Sequence, residues 1–206
     1  MKNSDVADEF SYERLYRRLR EALLRAERAG TGELTTAIKQ FFCREYGERY
    51  HVHCSGGPHP EYMVDVLVAS FAPKELLDKK SLTLRPAALD VHLAVESELG
   101  GESASSAFGV MRNAAEDFLK LLLVNASRRM IIMTSLPYAK ELDHVRARVE
   151  LLRDMYSRSG GLSSGVLIVH LEGNRPRTQV QVIVNPTSIR GFVVSDDGHT
   201  VSELLI

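Results

Sequence analysis

Between residues 50 and 98 the sequence carries three strand-like runs in succession, and beyond them helix-like and strand-like runs alternate. Residues 50–54 alternate, Ser55-Gly56-Gly57-Pro58 is a turn, and residues 62–70 are rich in β-formers. A loop over 73–86, with a short helical turn at 74–78, leads to a strand over 88–98 closed by Gly100-Gly101. A long helix over 105–125, with Phe108, Met111, Ala115, Phe118, Leu119 and Leu122 inward, precedes a short buried strand over 129–135. A helix over 138–158 places Leu142, Val145, Val149, Leu152 and Tyr156 on one side. Residues 165–171 and 178–184 read as one hairpin, and 191–195 with 199–204 as another around Asp197-Gly198. Two helices open the chain. One, over 8–29, has a stripe of Leu15, Leu19, Leu23 and Ala26. The other, over 33–46, has a stripe of Leu34, Ile38, Phe41 and Phe42, with Thr31 as its expected N-cap. This order predicts an α/β (α+β) fold around a mixed sheet.

A length of 206 residues suits a single domain, 1–206. A chain of this size buries roughly 70% of its unfolded surface and needs no disulfide or metal to fold. The longest apolar runs, such as Met130-Ile131-Ile132-Met133, fall far short of the roughly 18 residues of a membrane span. The first ten residues have no apolar core, so no signal peptide is expected. Two cysteines, Cys43 and Cys54, make no disulfide framework, and a cytoplasmic location follows. With 26 basic and 27 acidic residues, the net charge of −1 gives no global argument for nucleic acid or an anionic membrane. The basic residues are nevertheless lopsided, 19 Arg against 7 Lys. Arg14, Arg17, Arg18, Arg20, Arg25 and Arg28 cover the first helix, either as phosphate contacts or as a solvated face paired with Glu13, Glu21 and Glu27.

The chemistry-bearing residues lie in the second and third strands. Asp65 is the only charge in the apolar stretch that follows Glu61, and a carboxylate there costs several kcal/mol unless paired, protonated or bound to a metal. Strand alternation puts Asp90, His92, Ala94, Glu96 and Glu98 on one face, with Glu96 and Glu98 roughly 7 Å apart along the strand. Like charges this close raise each other's pKa unless a cation lies between them. Three carboxylates from adjacent strands make an oxygen cage suited to Mg²⁺.

The run of helix, Asp65 strand, Glu96-Ser97-Glu98 strand, helix and strand resembles the core of the PD-(D/E)XK nucleases, the restriction-endonuclease-like superfamily. Ala94-Val95-Glu96-Ser97-Glu98-Leu99-Gly100 is similar to that superfamily's third motif in the variant with Glu for Lys, and Glu116-Asp117-Phe118-Leu119-Lys120 follows on the next helix. Residue 64 is Val where the family has Pro, and the 31 positions between Asp65 and Glu96 imply an inserted loop over 71–87. The resemblance implies a restriction-endonuclease-like mixed β-sheet core at 33–135, between an N-terminal helix (1–32) and a C-terminal helix with hairpin strands (136–206). It implies a Mg²⁺- or Mn²⁺-dependent endodeoxyribonuclease acting on DNA, often as a homodimer. Asp65, Glu96 and the Ser97 carbonyl would hold the metal. Glu98 or Lys120 would orient or deprotonate the attacking water, and Glu45 would lie near a second metal position with Glu48 as fallback. Lys120 has an alternative as the i, i+4 partner of Glu116.

Two other readings stand beside this one. A nuclease-like domain without catalysis would bind nucleic acid or a protein partner, with the Arg14–Arg28 stretch and Arg128-Arg129 on phosphates. A zinc hydrolase would use His51, His53, Cys54 and His59, although their spacing matches no standard zinc pattern and equally fits a polar hairpin rim. No phosphate loop, dinucleotide fingerprint or Gly-x-Ser-x-Gly elbow is present.

Overall fold

Apolar stripes at helical spacing and apolar runs at strand spacing assemble around one seven-stranded sheet in the computed structural model, which describes residues 9–25, 30–100, 106–138, 141–160, 164–174 and 183–205. In chain order the elements are α1 (Tyr12–Arg25), α2 (Thr31–Tyr46), β1 (His51–Cys54), β2 (Val66–Ala69), β3 (Val91–Glu98), α3 (Ala107–Leu123), β4 (Arg128–Ser135), α4 (His144–Arg158), β5 (Val166–Asn174), β6 (Ile183–Val194) and β7 (Val201–Leu204). The strands lie side by side in the same order. β1, β2 and β3 form an antiparallel meander. β3, β4 and β5 run parallel, and β5, β6 and β7 are antiparallel again. The mixed α/β architecture expected from the element order is the one the chain adopts.

Both faces of the sheet are covered. Leu15, Leu19 and Leu23 of α1 and Leu34, Ile38 and Phe42 of α2 pack on Val66, Leu93, Val95, Met130 and Ile132. Phe118 and Leu121 of α3 and Val149 and Leu152 of α4 pack on Leu67, Ala94, Ile131 and Ile168. This is why the middle of β4 is apolar at every position: a parallel strand between two helical layers has no wet face. Each fully buried Leu, Ile or Phe contributes about 1.5–3 kcal/mol by leaving water. No helix among the described residues is long and apolar enough to cross a membrane.

Several local expectations shift, each for a visible reason. The first helix is described from Tyr12 to Arg25, and its expected extension through Ala26, Glu27 and Arg28 lies outside the described residues. α2 starts at Thr31 rather than being capped by it, since Glu33 Oε2 accepts from Gly30 N–H at 2.9 Å and starts the helix there. In α3 the buried row is Val110, Met111, Ala114, Phe118, Leu121 and Leu122, whereas Phe108 and Leu119 face solvent. The start of that helix is set by Ser106, whose Oγ accepts from Gly109 N–H at 3.0 Å. α4 begins only at His144, because Asp143 Oδ1 accepts from Arg146 N–H at 3.0 Å, and Leu142 is fully exposed before it. The described part of the arm expected at 178–184, Ile183-Val184, and the arm expected at 191–195 belong to one strand, β6. A bulge facing Leu171–Glu172 absorbs Pro186, which has no N–H for a ladder. Residues 178–182 lie outside the described set.

Two irregularities position the residues of interest. β2 starts four residues later than expected. Val64 N–H bonds to Tyr62 O at 2.9 Å around Met63 at φ 67°, a tight γ-turn that is strained for any residue with a Cβ. A bulge in the β2–β3 pairing at Val68–Ala69 places His92 out of alternation. His92 therefore does not share the face of Glu96. Its ring stacks on Phe10 at 5.5 Å and meets Tyr50 edge-on at 4.8 Å.

Candidate active site

Asp65 stands one residue before β2, and extension of the Val66–Val95 pairing places it opposite Glu96. The late start of β2 leaves the Ser97 N–H free of the ladder. Ser97 gives that N–H and its hydroxyl to Asp65 Oδ2, at 2.9 and 2.8 Å. Asp65 Oδ1 pairs with Lys39 Nζ at 2.9 Å. Lys39 comes from α2, is almost wholly buried, and also donates to Ser55 Oγ at 2.7 Å and Glu61 Oε2 at 3.0 Å. Burial pushes the Asp65 carboxyl up, but Lys39 and the two Ser97 donors outweigh it and hold the group below the usual range. Burial likewise works to lower Lys39, and its hydrogen bonds to Asp65 and Glu61 raise it above the ordinary lysine value. The pair is ionised on both sides.

Glu96 projects to the opposite face, beneath α3. It is buried, and its pKa is pushed up to about 8 by that burial first, then by the carboxylates of Asp65 and Asp117. Lys120 and the backbone N–H of Asp65 oppose the rise without cancelling it. Lys120 bonds to Asp117 Oδ1 at 2.6 Å, and the fields of Glu96 and Asp65 also help raise its pKa. The partner of Lys120 is thus Asp117, not Glu116, which faces Arg112 at 3.7 Å. Two carboxylates therefore meet at one rim of the sheet from opposite faces, each with a lysine beside it.

The expected residues divide accordingly. Asp65, Glu96, Ser97 and Lys120 come together. Glu98 ends β3, where its Oε1 accepts from Gly100 N–H at 2.9 Å. The cage of three carboxylates on one face is not formed, because Asp65 is turned to the α2 side. Glu45 does not join the group either. It lies where α1 meets α2, paired with Arg18 at 2.7 Å, and lines a 460 Å³ cavity with Arg18, Glu21, Arg25 and Arg44. Arg129 cannot touch a phosphate. It is buried, donating to the Leu121 and Val124 carbonyls at the end of α3 and to Ser164 Oγ at 2.7 Å. Arg128 lies over the Tyr12 ring at 5.5 Å. Among the histidines, His51 Nδ1 is 3.2 Å from His59 Nε2, while His53 Nε2 is turned to the Phe71 carbonyl at 3.3 Å.

Lys39 and Asp117 are the members that sequence reasoning missed. The available signal for Lys39 is its place in a buried row, three and seven residues before Phe42 and Tyr46, where an apolar side chain belongs. For Asp117 it is the i, i+3 spacing from Lys120.

Among the described residues no three His, Cys, Asp or Glu side chains converge as a metal-holding group. Asp65 and Glu96 supply two hard oxygen ligands. Burial first, and repulsion from Asp65 and Asp117 after it, favour the protonated form of Glu96; a divalent cation would offset both, so the donor chemistry fits Mg²⁺ or Mn²⁺ completed by water and phosphate oxygens. Comparison with known proteins returns no matching family model, no matching curated protein and no matching solved structure.

Proposed function

We propose that this chain is a metal-dependent nuclease that hydrolyses phosphodiester bonds of DNA, built on a restriction-endonuclease-like core. The observation that carries the reading is the meeting of Asp65 and Glu96 at one rim, with Lys39 and Lys120 alongside. The order of helix, Asp65 strand, Glu96 strand, helix and strand supports it, being the run on which the motif resemblance rests. Asp65, Glu96 and the Ser97 carbonyl would hold Mg²⁺ or Mn²⁺, which when bound polarises the scissile phosphate and lowers the pKa of the attacking water. Glu96 would hold the ion as the carboxylate, its proton passing to water. Ser97 and Lys39 hold the Asp65 carboxyl below its usual range and so favour the ionised form. The two ammonium groups offset the negative charge of an approaching phosphate. Cutting both strands of a duplex needs two such sites, so the working form is a homodimer, and the location is the cytoplasm.

Nicking of supercoiled plasmid with Mg²⁺ or Mn²⁺ tests the reading. Wild-type protein should nick, and Asp65→Asn and Glu96→Gln should each lose at least ~100-fold. Activity retained in both variants, or wild type inert with either metal, would sink it.

One observation favours a second reading, a nuclease-like domain that binds nucleic acid or a protein without cutting. The Lys39 ammonium already neutralises Asp65 internally. This form would bind DNA with a steep salt dependence and with the same affinity in EDTA as in Mn²⁺.

A further inference from the structure

Cys43 of α2 and Cys54 at the end of β1 face each other with their Sγ atoms 3.0 Å apart, both as free thiols. Cys54 is buried and Cys43 is partly open to solvent. The turn after β1 is shaped around them: a Cβ at Gly57 would fall 2.5 Å from the Cys54 sulfur and 3.1 Å from that of Cys43. The pair also abuts the candidate active site. Cys43 lies one helical turn beyond Lys39, and Cys54 precedes Ser55, whose hydroxyl accepts from Lys39 Nζ.

We propose that Cys43 and Cys54 form a thiol–disulfide modification site, oxidised by a low-molecular-weight disulfide to a bond that staples α2 to β1 beside Lys39. The Cys43 thiolate attacks one sulfur of the oxidant, forming a mixed disulfide and releasing one small thiol. Cys54 then loses its proton and attacks the Cys43 sulfur, expelling the second small thiol. Two protein thiols are oxidised, one disulfide is reduced to two thiols, and no other reactant is needed. The order follows from access: Cys43 meets the oxidant, and the buried Cys54 resolves the adduct. Burial and the neighbouring Cys43 push the Cys54 thiol up to about 12, which also suits it to the second role. In a reducing compartment the pair rests as the dithiol and closes when the thiol poise shifts. The inference is independent of the nuclease reading.

The test uses the full chain with oxidised glutathione as the probe, followed by alkylation in denaturant, intact-mass measurement and peptide mapping. Closure is expected to give a mass loss of about 2 Da, a Cys43–Cys54 cross-linked peptide and reversal by dithiothreitol. The oxidised form should melt at least ~3 °C higher, since the bond closes a short loop in the unfolded chain. Cys54→Ser should stop at the glutathione adduct on Cys43. Wild-type protein that accumulates that adduct without closing would overturn the proposal. So would two alkylatable thiols persisting where a reference dithiol is fully oxidised.

Discussion

Replacing Glu96 with glutamine should stabilise the metal-free protein, and increasingly so as the pH rises. Glu96 sits at about 8 in the folded protein against an ordinary 4.5. From pH 4.5 to about 8 the folded chain therefore holds a proton that the unfolded chain has lost, and stability falls by about 1.4 kcal/mol per pH unit. That amounts to about 3 kcal/mol at pH 7 and a ceiling of about 5 kcal/mol above pH 8. It is a ceiling because the rim opens to water at Asp65, a fifth of whose side chain is exposed. Glutamine cannot ionise, still accepts from the Asp65 N–H, and directs an NH₂ at the surrounding carboxylates. The assay is urea denaturation in EDTA from pH 5 to pH 9 for both proteins. The gap should be under about 1 kcal/mol at pH 5, widen through neutrality and level off above pH 8. Asp65, whose pKa is depressed, has the opposite sign: its contribution is present above 3.8 and lost only as the pH falls further, outside the window. A gap constant with pH, or a glutamine variant weaker throughout, would refute the argument, because Glu96 would then be ionised and favourably paired at neutral pH.

Three further outcomes follow from the packing. Asp65→Asn leaves Glu61, among the described residues, as the only carboxylate bonded to the Lys39 ammonium and should cost about 1–3 kcal/mol in urea denaturation, apart from any loss of nicking. Arg129→Met strips donors from the Leu121 and Val124 carbonyls and from Ser164, and should cost about 3 kcal/mol; Arg129→Lys should recover part of this in melting experiments. Phe118→Ala should cost about 3–5 kcal/mol, whereas Phe108→Ser and Leu119→Ser should each stay within about 0.5 kcal/mol, a contrast that checks which face of α3 is buried.

The architecture was legible because it rests on periodicity. The stripes of Leu15, Leu19 and Leu23 in α1 and of Leu34, Ile38 and Phe42 in α2 recur with the helical turn, and the apolar middle of β4 marks a strand covered on both faces. What periodicity could not resolve was phase. Phe108 and Leu119 are as apolar as Val110 and Leu121, and packing of the Ala114, Phe118 and Leu121 row on the sheet, not composition, decides which side turns inward. Unbroken alternation puts His92 on the face of Glu96, and one bulge reverses it. Glu45, seven residues beyond Ile38, falls at the margin of the buried stripe of α2, and that margin is where α1 crosses α2 and Arg18 pairs with it.

The site was half legible for a related reason. Charges stranded in apolar runs, Asp65 and Glu96, stand out in sequence because burying them demands an explanation. Lys39 meets the same demand on a helix, where its long stem can lie along apolar surface and disguise the position as amphipathic. Lys39 changes what the carboxylates are. Asp65 is not an isolated buried anion awaiting a cation; it already has one, fixed by Ser97 and Glu61 around it. Among the described residues no cation hydrogen-bonds to Glu96, and it is the group that burial and its neighbours push toward the protonated form. A divalent ion entering the rim therefore gains most at Glu96, by replacing a proton there, and least at Asp65, where it competes with an ammonium. Metal affinity should rise steeply with pH for that reason, and removing Lys39 should strengthen it rather than weaken it. If Lys39→Met instead abolishes Mn²⁺ binding in calorimetry while the fold holds, the lysine is organising the acidic pair and not competing with the metal.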